Sequence, residues 1–468
     1  MSESRTNQDA TSLSLWDRIG RSLFVALAVG LAWGIRGDFG HSIGAMYPGA
    51  ALGLAFAWVS GQRSLHRWMP IVAALSAMGI GSGGTMSYGL LHGYAQSDTF
   101  LNYSYGFLTL FLQGSAWGTF GGALIGLMLE RQPLRTSEWL GLLGSLFVGG
   151  WLVSLVVVNF LGFQINPPRN NISVAFMGAA LGQLIWLAYN NKSIGLRGAV
   201  LGYLGFGLGM AGGRLLGNLA NVFQGVYNYS INHWNVMEVS CGMIGGFIFT
   251  FGMVNRVYPD PPKEPNIKLS SFYGILTVLG FLPLWHRLAR IIPEEKLPAW
   301  SATLATEGWE RPELLAQTVL GLIDGVCVLG FVGVALWSYL HFRGNQRWPA
   351  FPILWLSLTM LLFQNLNALY FFKAPQPNTI NMHNVFWALM ALMTIYVLVV
   401  RPRPAAQRRL DPEDGSNRVP WLAWVSTGVI GMTLILILAT WINGETTMAS
   451  ASTRWPNWSW RDGPFPGR

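Results

Sequence analysis

The sequence predicts an all-α polytopic membrane protein: about 13 transmembrane helices, with a duplicated parallel four-helix unit followed by a five-helix bundle. Three observations lead there. Hydrophobic residues make up 51% of the 468 and charged residues only 11%, where a soluble domain carries about 25% charged residues. Many apolar runs are long enough to cross a bilayer, which takes about 20 residues. Finally, Gly49-Ala50-Ala51-Leu52-Gly53 returns as Gly178-Ala179-Ala180-Leu181-Gly182, and Gly83-Gly84 as Gly212-Gly213, both 129 residues on; Asn102-Tyr103-Ser104 returns as Asn228-Tyr229-Ser230, 126 residues on. Three matches in one order and nearly in register mark a repeated unit.

The elements follow in order. Residues 1–18 are a polar tail with acid as well as base, unlike a signal peptide, and are expected on the cytoplasmic side. The first repeat, 19–130, holds spans at 19–36, 43–60, 70–92 and 106–129. The second, 131–257, holds spans at 138–162, 172–189, 196–217 and 236–255. Four spans per unit give both copies the same orientation, a parallel repeat about an axis along the membrane normal. Looser copies of the glycine motif occur at Gly122 to Gly126 and at Gly242 to Gly246. Small residues four apart make a smooth helix face against which another backbone packs closely.

The remaining chain, 258–441, reads as a bundle of about five helices at 271–289, 316–340, 351–372, 382–400 and 421–441, bulkier and without the glycine pattern. The first of these is the weakest span. A tail at 442–468, with Trp455, Trp458 and Trp460, is expected along the outer interface, where Trp collects. With the N-terminus inside, 19 of the 30 basic residues fall in inner segments, among them Arg63, Arg131, Lys192, Arg256, Arg343 and Arg401. This bias sets orientation: N-terminus in, C-terminus out, in an inner or plasma membrane.

Several classes are disfavoured. The net charge of +9 is not gathered into a basic stripe, so nucleic acid is not an expected partner. Cys241 and Cys327 lie in apolar segments and form no ligand spacing. Gly79 to Gly84 lacks a following lysine and sits in an apolar span, a packing face rather than a phosphate loop. No cofactor and no metal is expected. His41, His233 and His383 sit at three span ends, but without the spacing of a zinc motif.

Ionisable and amide residues near membrane spans are costly and often functional. Here they gather on the outer side: Arg36, Asp38 and His41 between spans 1 and 2, Arg214 and Asn218 ending span 7, and His233 and Glu238 opening span 8. In the later spans they are Asp324, Asn365 and His383. An Arg214–Glu238 ion pair and an Arg36–Asp38 pair within the glycine-rich turn 34–40 are the plain structural alternatives. The functional reading is one polar, outward-facing cavity used by a transporter or permease for a small anionic or zwitterionic solute. Glu238, Asp38 or Asp324 would then be the candidates for a coupling proton. A membrane-embedded transferase for a lipid-linked or acyl substrate is the competing reading, and a structural or assembly subunit the third. Membrane lipid is the expected partner in every case.

Overall fold

The computed structural model describes residues 13–60, 63–167, 169, 171–254, 258, 272–284, 296–341, 351–367, 377–399, 420–443, 448 and 450–455. The chain is an all-α, multi-pass membrane protein. Its helices are α1 (Leu15–Ile35), α2 (Ser42–Val59), α3 (Arg63–Gly83), the short α4 (Gly89–Ala95), α5 (Phe100–Leu127), α6 (Thr136–Ser154), α7 (Ile172–Tyr189), α8 (Ser193–Tyr227) and α9 (His233–Met253). They continue as α10 (Phe272–Leu284), α11 (Leu297–Thr306), α12 (Pro312–His341), α13 (Phe351–Leu366), α14 (Met382–Val399) and α15 (Trp421–Asn443). Among the described residues, nine helices are long and apolar enough to cross a membrane: α1, α2, α6, α7, α8, α9, α12, α14 and α15.

Several expected spans are placed differently. The third stops at Gly83, and the chain turns before α4. The fifth changes from α to π winding at Leu155–Phe160. Helix α5 has the length of a span but is not among the nine. Its Asn102, Gln113, Ser115 and Thr119 are fully buried among other helices, so it need not be apolar to stay out of water. Of the ninth expected span, residues 272–284 form α10; 271, 285–289 and the basic segment 401–419 lie outside the described residues.

Six helices close a ring in the order α1, α2, α3, α5, α8, α9 and back to α1. Each neighbour runs antiparallel to the next. A Cβ on Gly118 or Gly122 of α5 would collide with the carbonyls of Gly202 or Gly198 of α8, the numbers rising on one helix as they fall on the other. A Cβ on Gly213 or Gly209 of α8 would likewise stand 2.7 or 2.6 Å from the carbonyl oxygen of Met237 or Cys241 of α9, in the same antiparallel sense. Gly49 and Gly53 of α2 meet Ser76 and Ala73 of α3. The recurring glycines are thus helix-contact positions, where the missing side chain lets backbones touch. The ring is filled. Trp33 of α1 reaches the opposite helix α5 and stacks on Trp117, ring centres 5.4 Å apart, and lies 5.6 Å from Phe206 of α8. Phe56 and Phe249 add an edge contact.

The two helices that carry the matching glycine stretches pack differently: α2 lies along α3, whereas α7 packs chiefly on α6. The α6–α7 hairpin is peripheral and shows apolar side chains such as Leu140, Phe147 and Trp151 outward, the surface hydrocarbon requires. At the end of the ring that carries Arg18, arginines cap helix C-termini. Arg21 donates to the Val59 carbonyl ending α2; Arg18 (3.1 Å) and Arg197 (2.6 Å) donate to Phe251 and Gly252 near the end of α9. Cations there complement the helix dipole.

At the opposite end, called here the polar end, residues 450–455 lie across α4 and α5. The Asn102 Oδ1 accepts from the backbone N–H of Arg454 (2.6 Å) and Trp455 (2.9 Å), and Ser452 donates its N–H to the Gly93 carbonyl (2.9 Å). Asn102→Ala should orphan both amides at a cost of about 1–3 kcal/mol. The expected result is faster hydrogen exchange over 450–455 with the ring unchanged; equal exchange would remove Asn102 as the anchor.

Candidate functional site

The polar end holds two neighbouring polar regions, divided by the first turn of α9. Asn232 begins that turn, its Oδ1 accepting from the N–H groups of Trp234 (3.1 Å) and Asn235 (3.2 Å). This is a standard N-cap. Trp234 and Glu238, four residues apart, share a helix face, and Asn235 lines the outer cavity.

The inner region lies on the Trp234–Glu238 face. Arg36 follows the last turn of α1, is 2% exposed, and donates through Nη2 to Glu238 Oε1 at 3.2 Å. The Tyr88 hydroxyl donates to the same oxygen at 3.1 Å. The guanidinium also stands over the rings of Tyr88 (4.8 Å) and Trp117 (5.5 Å), which favours a cation electrostatically. Tyr88, His92 and Trp234 form a cage, with His92 5.0 Å from Tyr88 and 5.1 Å from Trp234. His92 lies on α4, which is not among the nine helices long and apolar enough to cross a membrane. Burial, then the charges of Arg214 and Arg36, hold its imidazole well below the usual histidine pKa, so it is neutral. Arg214, on α8, is fully buried.

The outer region is a cavity of about 450 Å³ lined by Asn232, Asn235, Asn367, Asn381, His383 and Trp300, among others. A two-residue parallel strand pair, β1 (Ser230–Ile231) with β2 (Thr379–Ile380), ties the approach to α9 to the approach to α14 and sets its wall. His383 stacks on Phe363 at 5.2 Å, and one of its ring nitrogens lies 3.3 Å from Gln364 Nε2.

The expected residues therefore separate. Arg36, Glu238 and Arg214 belong to the inner region, and His383 to the outer one. Both of the simple ion pairs suggested by the sequence are corrected. Glu238 pairs with Arg36, not Arg214. Asp38 is bound by Lys296 Nζ (3.5 Å) and Asn367 Nδ2 (3.1 Å), not by Arg36. The reason is local: Arg36 to Phe39 is a 3₁₀ turn, in which successive residues rotate by about 120°, so positions 36 and 38 point apart. Asn218 serves structure, donating to the Ala95 carbonyl (2.9 Å) and to Asn443 Oδ1 (3.0 Å). His41 is exposed beside α2, and its carbonyl accepts from Ala45 N–H at 3.2 Å. His233 is half-buried at the start of α9. Asp324 is buried on α12, which packs mainly on α11 and α13 rather than on the ring. The side chain of Asn365 lies outside the described residues. No group of three metal-ligating side chains occurs among the described residues.

Sequence reasoning missed Tyr88 and Trp234. A polar-aromatic pattern at a helix break (Ser87-Tyr88) and at a helix start (Asn232 to Asn235) was the available signal. Compared with known protein families, with curated proteins and with solved structures, the chain matches none.

Proposed function

We propose that this chain is a multi-pass transporter for a small anionic or zwitterionic solute. The observation that supports it best is a charged cluster sealed inside a helix ring, next to an amide-lined cavity at the same end. A transporter must hold a polar solute away from lipid while keeping the opposite side closed. Here Arg36, Glu238 and Arg214 supply the polar contacts, and Trp33, Trp117 and Phe206 supply the closure. In this reading the chain makes about 13 crossings, built on the duplicated four-helix unit, in an inner or plasma membrane. The N-terminus is cytoplasmic, the C-terminus and the polar end face outward, and Glu238 is the first candidate to carry a coupling proton.

The displaced position of the cavity also suits a membrane transferase acting on a lipid-linked or acyl substrate. One assay separates the two. Purified protein in liposomes is screened for counterflow of radiolabelled small carboxylates and amino acids, with Glu238→Gln as the control variant. Accumulation above empty liposomes, lost in a Glu238→Gln protein that still runs as a single species, is the expected result. If no anion or zwitterion accumulates, the transporter reading falls and the transferase reading gains.

A further inference from the structure

The arginines of this chain divide by what they hold. Arg18, Arg21 and Arg197 each donate to a backbone carbonyl, and Arg36 to a carboxylate. Arg214 differs. It is the one arginine among the described residues whose Nε, Nη1 and Nη2 are all buried without a hydrogen-bond partner. The guanidinium lies along α8 toward its C-terminal end, over Gly217, and Nη2 is 2.8 Å from where a Gly217 Cβ would stand. A side chain at 217 would take that space. The Nδ1 of His92, a residue close enough to Arg214 to feel its charge, is also buried and unpartnered.

The charges of this layer do not cancel. Arg36 and Arg214 contribute two positive charges and Glu238 one negative, while His92 is neutral and Asp38 is taken up by Lys296. One positive charge is left over among buried side chains. An uncompensated buried charge costs several kcal/mol, and a fully desolvated guanidinium with all its donors idle is a strong binder of planar oxyanions.

We infer that Arg214 anchors an occluded site for a monovalent oxyanion group, a carboxylate or a phosphodiester. The guanidinium edge holds the two oxygens, and His92 Nδ1, in the tautomer that carries its proton, gives a further donor. One excess positive charge fits one negative charge; a dianion would leave the layer net negative. Halides fit the charge but not the fork. This names the ligand class for the transporter proposed above and rests on that reading.

The test is thermal unfolding of the purified full chain in a neutral maltoside detergent, followed by tryptophan fluorescence. Sodium acetate, sodium succinate and sodium chloride are compared at matched ionic strength, and dihexanoyl phosphatidylglycerol is run in parallel. The wild type should gain several degrees with acetate and less with chloride or succinate. Arg214→Met should lose the acetate-specific gain, and Arg214→Lys should weaken the apparent affinity about 10- to 100-fold. Without added anion, Arg214→Met should melt at or above the wild type, because it removes an unpaired charge. A gain from the phosphatidylglycerol alone assigns the site to a lipid headgroup. The inference is overturned if neither compound acts, if chloride or succinate matches acetate, if Arg214→Met responds like the wild type, or if it melts well below it. An acetate gain that depends on Arg214 without counterflow removes the transporter reading and keeps the site. Counterflow unchanged in Arg214→Met does the reverse.

Discussion

Gly118→Ala should destabilise the protein by about 1–3 kcal/mol or more, and Gly118→Leu should prevent recovery of a monodisperse chain. A Cβ at 118 would collide with the Gly202 carbonyl, and the obstacle is backbone on a neighbouring helix rather than a side chain that can swing aside. Relief requires α5 and α8 to separate, and Gly114, Gly122 and Gly126 make the same close approach along the same seam. The whole seam therefore opens, and with it the ring that holds Arg36 and Arg214. The matched control is Gly321→Ala on α12, where an added Cβ meets nothing within 4 Å. That substitution should be neutral or stabilise by up to about 1 kcal/mol, since alanine is the better helix former. Thermal melts of the two variants in one detergent give the comparison. Equal melting temperatures would mean that the α5–α8 seam is not a close backbone contact.

The glycine stretches were legible in the sequence as packing faces, and that is how they are used. Gly49 and Gly53 press on α3, and Gly178 and Gly182 press on α6. What the sequence could not supply was which helix each face meets. The repeated motif sits against a preceding helix in one copy and a following one in the other, because partner choice is set by ring closure between α1 and α9, far apart in the chain. The sequence placed α5 as its fourth span, and its lower apolarity has a related reason: a helix surrounded by protein answers to its neighbours rather than to lipid. Its Gln113 Nε2 donates to the Met86 carbonyl at 3.0 Å, and its Asn102 Oδ1 accepts from the N–H groups of residues 454 and 455.

For the site, the sequence marked Arg36, Arg214 and Glu238 by the simple cost of such groups near a membrane. It could not pair them, because α9 lies between α1 and α8 and either arginine was one helix away. Rotation about the helix axes decides that, together with the turn at 36–39. The amide cavity was equally hidden, since its wall comes from β1 and β2, two connections nearly 150 residues apart that meet in a two-residue ladder (Ser230 with Thr379, Ile231 with Ile380).

Removing Glu238 should cost more than removing Arg36, although the two form one ion pair. Breaking a buried pair costs about 3–5 kcal/mol because a charge is left without its partner. Glu238→Met leaves Arg36 and Arg214 as two buried cations with no carboxylate in the layer, and it also orphans the Tyr88 hydroxyl. Arg36→Met leaves Glu238 with the Tyr88 hydroxyl still donating, and Arg214 now balances its charge overall. The loss expected is roughly half as large. Replacing both, Arg36→Met with Glu238→Met, should recover most of the stability, since well-packed apolar pairs often match or exceed buried ion pairs. Melting temperatures of the three variants and the wild type complete a double-mutant cycle. The expected order, from lowest, is Glu238→Met, Arg36→Met, then the double variant. Should Arg36→Met be the less stable single variant, the charge of Arg214 does not reach the Glu238 layer, and the excess positive charge that calls for an anion would be absent.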